Sequence, residues 1–333
     1  MSMDLRIGDA ESKRASKTYG TLPVARMATG SWMSIPVHMV TGADDGPTLC
    51  LISTIHGWEF FTVEVLRKAW EMMRPEEISG KVVILPLANP LAFESYTHCT
   101  PVDMRNLNGV FPGRPDGWAT DRIAHSLVSE VLPRIDCIVD FHSGTLDSAI
   151  NYTYIKWDGP EKSSKQEHLC RQFGSEVLYR GPGFGTTITE YALSKYDIPA
   201  VVALVGGGSL EDGRMLNDSV RGIFNIMKAL GMLKGTPELP KKQIIITERD
   251  MIQPRFGGMY YPEVGLEALC SVIKGGTVLG RIVAADSFEE LETLRAPYEE
   301  SLPIMVRHVM SRVNPGDYSY IIGDAKTAVV LEN

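Results

Sequence analysis

The sequence predicts an α/β fold, a sheet covered by helices on both faces, followed by a small β domain. Three observations predict it. From residue 48 to about 232, apolar runs of strand length alternate with amphipathic helical stretches, a pattern that places helices on both faces of a sheet. A Pro/Lys-rich segment, KGTPELPKK (234–242), then interrupts the alternation. Beyond it helical periodicity disappears, and short strand candidates are set off by Gly and Pro. We divide the chain accordingly into an α/β domain over 1–238 and a β domain over 239–333.

Taken in order, TLCLISTIH (48–56) reads as a buried strand and FTVEVLRKAWEMM (61–73) as an amphipathic helix. KVVILPLAN (81–89) is the next strand. A Gly/Pro/Asn-rich loop over 90–118 exceeds the usual limit of roughly 12–15 residues, which favours a functional loop. ATDRIAHSLVSEVLPRI has the apolar spacing of a helix, and DCIVDFHSG (136–144) is a strand ending in a turn. IPAVVALVGGG (198–208) is another strand and SVRGIFNIMKALGML (219–233) another helix. In the second part, QIIIT, GGMYYPEV, SVIKGGTVLGRIVA, PIMVRHVM and YSYIIG are the strand candidates.

Composition narrows the function. The chain has 333 residues, 44% hydrophobic and 22% charged, with a net charge of −8. An acidic balance without a Lys/Arg run argues against nucleic acid as a partner. No apolar stretch approaches the ~20 residues of a spanning helix, so no membrane partner is expected. The N-terminus, MSMDLRIGDAESKRASK, lacks the apolar core of a signal peptide. The five cysteines (Cys50, Cys99, Cys137, Cys170, Cys270) are scattered and form no CxxC pair. They read as buried thiols of a reducing cytoplasm.

The chemistry concentrates at two strand ends. The run Leu51, Ile52, Ile55 stops on His56-Gly57-Trp58-Glu59, where the pattern changes to helix. Side chains at the carboxyl ends of strands in open α/β sheets face the ligand crevice, and His and Glu are common zinc ligands. The strand DCIVDFHSG ends likewise on His142. Two such ends converge in one sheet, which brings His56, Glu59 and His142 around one ion and leaves a position for water, as in catalytic zinc sites. Asp140, two residues earlier on the same face, is placed to orient a ligand. The plain alternative is a satisfied core histidine at 142 and an ordinary helix start at 56–59.

His56-x-x-Glu59, Asn89-Pro90, NLNGVFPG (106–113), DFHSG (140–144) and IPAVVALVGGG, in that order, resemble the succinylglutamate desuccinylase/aspartoacylase family of zinc carboxypeptidase-like hydrolases. The resemblance spans residues 53 to 208, and the β tail resembles the family's C-terminal domain. It implies a zinc-carboxypeptidase-like mixed sheet covered by helices, followed by a small C-terminal β domain. It also implies one zinc per chain on His56, Glu59 and His142. The activity implied is hydrolysis of the amide of a small N-acylated amino acid or related acylated amine. In such chemistry zinc acidifies a water and polarises the carbonyl, a carboxylate moves the proton, and arginines grip the oxyanion and a substrate carboxylate. A small-molecule substrate is thus the expected partner, and a homo-oligomer is left open.

Two departures stand out. The family's Asp-Leu-Asn-Arg segment is Asn106-Leu107-Asn108-Gly109 here, so a glycine fills the arginine slot. Asn108 is kept, and Arg105 and Arg114 are the nearby substitutes for binding substrate; both also read as solvated loop charges. The slot of the family's catalytic glutamate holds Leu204, which cannot move a proton. Glu211, then Glu190, then Asp212 are the substitutes considered, each equally readable as solvent-facing. His98 sits in the long loop, within reach of the site, and a loop-surface histidine is the simpler reading. The rival functions are a zinc-binding protein that has lost hydrolysis and binds a carboxylated metabolite, and a carboxypeptidase.

Overall fold

A computed structural model describes residues 5–157, 164–183, 185–207 and 213–333. Its centre is a large mixed sheet. Four parallel strands form the middle, ordered Ala200–Gly206, Cys137–His142, Asp44–Ser53 and Ser79–Leu85. Antiparallel strands extend both sides. Trp32–Thr41 and Ser16–Arg26 continue one edge. Ser148–Lys156, Glu300–Arg307, Tyr320–Asp324 and Arg249–Ile252 continue the other.

Alternation along the parallel strands assigns the two faces. Leu49 and Leu51, Val139 and Phe141, and Val201, Ala203 and Val205 face one core. The helices Phe61–Met72, Ser164–Phe173 and Gly213–Ala229 cover that side. Cys50, Ile52, Ile138 and Ala200 face the other, under Ala119–Ser126 and Ile188–Tyr196. Asp140 and His142, Val202 and Leu204 continue this second face by the period of two, toward the strands' carboxyl ends. There the helices stop and a cavity begins.

The predicted α/β class with C-terminal strands is what the chain adopts. QIIIT, GGMYYPEV, PIMVRHVM and YSYIIG become Lys242–Ile246, Gly258–Pro262, Glu300–Arg307 and Tyr320–Asp324. SVIKGGTVLGRIVA folds as Ile273–Lys274 and Val278–Val283 around its Gly pair. A separate four-stranded sheet joins Glu290–Arg295, Val278–Val283, Gly258–Pro262 and Ser311–Val313.

The architecture differs from the sequence reading in three respects. Strand pairing crosses the 238/239 boundary: Lys242–Ile246 runs parallel to Val177–Gly181, and Glu300–Arg307 pairs with Ser148–Lys156. The strands before residue 44, and those at 148–156 and 177–181, are additional to the elements read from the sequence. The stretch read as one helix over 119–135 is α-helical only over Ala119–Ser126. It widens to a π turn over Leu127–Val131 and tightens over Leu132–Arg134, where Pro133 cannot donate to an α-helical ladder. Among the described residues, no helix is long and apolar enough to cross a membrane. All five cysteines are unpaired, and Cys50, Cys137 and Cys170 are buried.

Candidate functional site

The strand Asp44–Ser53 delivers the first two candidate ligands through a strained turn. Thr54 adopts φ +52°, a left-handed conformation that β-branched residues avoid. It is fully buried, and its hydroxyl donates to Pro86 O at 2.9 Å beside the Ser53 bond to the same oxygen at 2.8 Å. Such overdetermined contacts are what sustain strain of this kind. Gly57 follows because a Cβ there would stand 1.9 Å from Ala92 O. Only glycine admits the helix Pro90–Ser95 so closely. Buried Asn89 caps that helix, accepting from Ala92 N at 3.3 Å. His142 arrives from the adjacent parallel strand, with Asp140 in register with Ile52.

His56, Glu59 and His142 converge, their ligand atoms all within 4.8 Å of one another. His56 Nδ1 lies 3.0 Å from Glu59 Oε1, and His142 Nδ1 lies 3.0 Å from Glu59 Oε2. All three side chains are buried. Burial alone would raise the Glu59 carboxyl, but His142 and His56 hold it down at about 2. Burial would lower His142, yet Asp140 and Glu59 on either side raise it well above the usual histidine value.

The far ring nitrogens have acceptors of their own, which leaves Nδ1 of each ring to face Glu59. Asn106 Oδ1 accepts the backbone N–H of Asn108 at 2.9 Å, which identifies it as the oxygen. It lies 3.2 Å from His56 Nε2, so that nitrogen carries a proton. Asp140 Oδ2 lies 3.2 Å from His142 Nε2, and a carboxylate there also calls for N–H. Asn108 Nδ2 approaches His142 Nε2 at 3.4 Å while its Oδ1 has no partner. A half-turn of the amide makes Asn108 a second acceptor for that N–H. Held in this way, both Nδ1 atoms face the Glu59 carboxylate, and a divalent ion that displaces the proton there would be bound by both lone pairs. The electrostatics that draw a proton to this point would also draw a divalent ion, which the three groups could hold. The donor set of two imidazoles and a carboxylate suits zinc. Among the described residues it is the one such His/Cys/Asp/Glu group.

The group opens into a cavity of about 470 Å³, within the range of small-molecule sites. The other candidates from the sequence are distributed unevenly around it. Asp140, Asn108 and Glu190 line it. Glu190 sits 3.7 Å from Lys156 Nζ. Arg105 does not line the cavity; its guanidinium turns to the buried carboxylate of Asp121. Arg114 is exposed on the same loop and does not line it either. Glu211 and Asp212 lie outside the described residues. Leu204 stands beside His142 in strand register and faces the cavity.

His98, read from the sequence as a surface residue, stacks on His56 with ring centroids 3.9 Å apart. Asn106 Nδ2 donates to its Nε2 at 3.2 Å. Burial and the neighbouring His56 lower it to about 4, so it is neutral. Tyr152, Tyr154 and Arg249 also line the cavity and carry no signal in the sequence.

Residues 45–230, more than half of the chain, match the profile described as "Succinylglutamate desuccinylase/Aspartoacylase catalytic domain". The chain is 27% identical over 329 residues to an N-alpha-acetyl-L-2,4-diaminobutyric acid deacetylase of Halomonas elongata, covering 95% of this chain and 93% of that one. Its fold is similar to product-bound ectoine utilization protein EutE (DoeB) of Ruegeria pomeroyi, with TM-score 0.81, 23% identity and coverage of 93% and 95%. It is also similar to a succinylglutamate desuccinylase of Silicibacter sp. TM1040, with TM-score 0.80, 22% identity and coverage of 92% and 94%. With the catalytic-domain profile matched over more than half of its length, this chain belongs to the succinylglutamate desuccinylase/aspartoacylase family.

Proposed function

We propose that this protein is a zinc-dependent deacylase that hydrolyses the amide of a small N-acylated amino acid or related acylated amine. The observation that carries the reading is the convergence of His56 Nδ1 and His142 Nδ1 on Glu59, with both far nitrogens held by Asn106 and Asp140. A zinc ion held by His56, Glu59 and His142 supplies Lewis-acid polarisation of a carbonyl and acidifies water. The deacetylase of Halomonas elongata supports the choice of an N-acyl amino acid. Unpaired, largely buried cysteines support a cytoplasmic setting.

The chain's own residues divide the remaining work. Asn106 and Asp140 hold the two imidazoles in one tautomer, and Asn108 adds a third polar contact to the site. Among the described residues, the carboxylates lining the cavity are Glu59, Asp140 and Glu190. Glu59 and Asp140 are committed to the histidines. Glu190 is therefore the described residue we assign to hold the proton on its way to the departing amine, and Glu211 is the second candidate. Arg105 and Arg114 remain proposed as substrate contacts, although neither lines the cavity.

The test is a hydrolysis screen over N-acyl amino acids with and without a chelator. Turnover that stops on chelation and returns with zinc is expected. Glu190→Gln or Glu211→Gln should lower turnover by roughly 10²–10⁴-fold with zinc content unchanged. Leu204 at the family's base position favours a second reading, a zinc protein that binds a carboxylated metabolite without hydrolysing it. Absence of activity until Leu204→Glu is introduced would establish that reading instead.

A further inference from the structure

The cavity extends far along the sheet beyond the metal group, and its floor is apolar. Strand register lays the floor out in order. His142 is opposite Leu204, and Leu204 is opposite Tyr152 on the next strand. In the neighbouring row Ile150 is opposite Met305, and Met305 opposite Ile321. All of these residues line the cavity. A cation closes the far side. Arg249, from the strand Arg249–Ile252, lines the same cavity and donates from Nη1 to Tyr152 OH at 2.9 Å. Its guanidinium lies 4.0 Å from the centre of the Tyr179 ring. That arrangement holds a planar, permanently charged group in one orientation, as recognition of a carboxylate requires.

The spacing decides what such a cavity selects. Strands lie roughly 4.8 Å apart, so the backbones of His142 and Tyr152 stand about 10 Å apart, and the Arg249 guanidinium meets the Tyr152 hydroxyl at the far end. A chain extended at ~3.6 Å per three bonds needs roughly eight bonds to cover that distance. The carboxylate of a succinyl group or of a short α-amino acid falls short. The apolar floor between the ends would penalise charge placed midway.

Resting on the deacylase reading, we propose that the preferred substrate is an elongated N-acyl compound. An apolar segment of about eight bonds, lying over Leu204, Ile150 and Met305, separates its scissile amide from a terminal carboxylate held by Arg249.

The experiment compares kcat/KM for N-suberyl and N-succinyl derivatives of one amine, and for N-acetyl-8-aminooctanoate and N-acetylglycine. The longer member of at least one pair should be preferred by tenfold or more; the pair that shows it tells whether the anion lies on the acyl or the amine side. Arg249→Gln should remove the preference chiefly through KM, and Arg249→Lys should restore part of it. Thermal melts confirm that both variants fold. Calorimetry with zinc-loaded protein gives a readout independent of turnover: suberate should bind at least tenfold more tightly than succinate, and Arg249→Gln should erase the difference. If no acylated amine is hydrolysed but suberate is still preferred, the deacylase reading fails and the elongated carboxylate site stands. Equal or inverted length preference in both turnover and binding, or a preference untouched by Arg249→Gln, overturns the proposal.

Discussion

At the residue scale, the site depends as much on the acceptors behind the histidines as on the histidines themselves. Asn106 performs three tasks at once: it accepts from Asn108 N, faces His56 Nε2, and donates to His98. Replacing it with alanine frees the His56 ring to choose the other tautomer. Asn106→Ala is expected to weaken metal affinity by roughly 10–100-fold while leaving all three ligands in place, as read by competition with a chromophoric chelator. Affinity equal to wild type would show that His56 is oriented by its stacking on His98 alone. The convergence of His56, Glu59 and His142 was legible in the sequence because strand ends followed by glycine carry a spatial meaning. His98 was not, because a loop over 90–118 gives no period from which to read burial. Arg249 was still less accessible, since it meets Tyr152 across 97 residues of chain and three strand pairings.

At the scale of elements, the close approach of two segments decides whether the ligands meet. The turn through Thr54, His56 and Gly57 is pressed against the helix Pro90–Ser95, with Gly57 N donating to Thr97 O at 2.8 Å. A methyl group at Gly57 collides with the backbone of Ala92 and Phe93, neither of which can rotate away. Gly57→Ala should therefore cost about 1–3 kcal/mol, the usual toll of overpacking, and lower zinc occupancy. A thermal melt and metal analysis check both; a variant that melts and loads like wild type would contradict the packing argument. Gly109 provides the contrast: a Cβ there meets nothing within 4 Å. Gly109→Arg, which restores the family's residue, should fold with unchanged stability. The parallel strands and their helices were legible from apolar periodicity. Ser16–Arg26 and Trp32–Thr41 were not, because one edge hairpin with mixed exposure produces no continuous apolar run.

At the scale of the molecule, composition located the change near 234–242 but not the way the two parts join. Periodicity reports which face of a strand is buried, and it says nothing of which distant strand lies beside it. Here the C-terminal part completes the central sheet. Glu300–Arg307 covers the edge of Ser148–Lys156, and Arg249 and Met305 supply cavity wall. The connecting segment is itself tied down, with Glu238 N donating to Asn225 Oδ1 at 2.7 Å and Glu238 pairing with Lys228 at 2.9 Å. A chain ending at residue 238 should expose an apolar sheet edge and aggregate rather than fold, as judged by soluble yield and circular dichroism. A stable monomer of residues 1–238 would show instead that the two parts are independent domains.

We propose that His56, Glu59 and His142 together hold one metal ion, and metal content per chain is the decisive measurement. Purified protein, stripped and then given zinc, should bind about one ion per chain by elemental analysis, and His56→Ala or His142→Ala should abolish that binding, since each removes one of three ligands. Zinc failing to bind the wild-type chain, or binding the folded His56→Ala and His142→Ala variants with undiminished affinity, would contradict it.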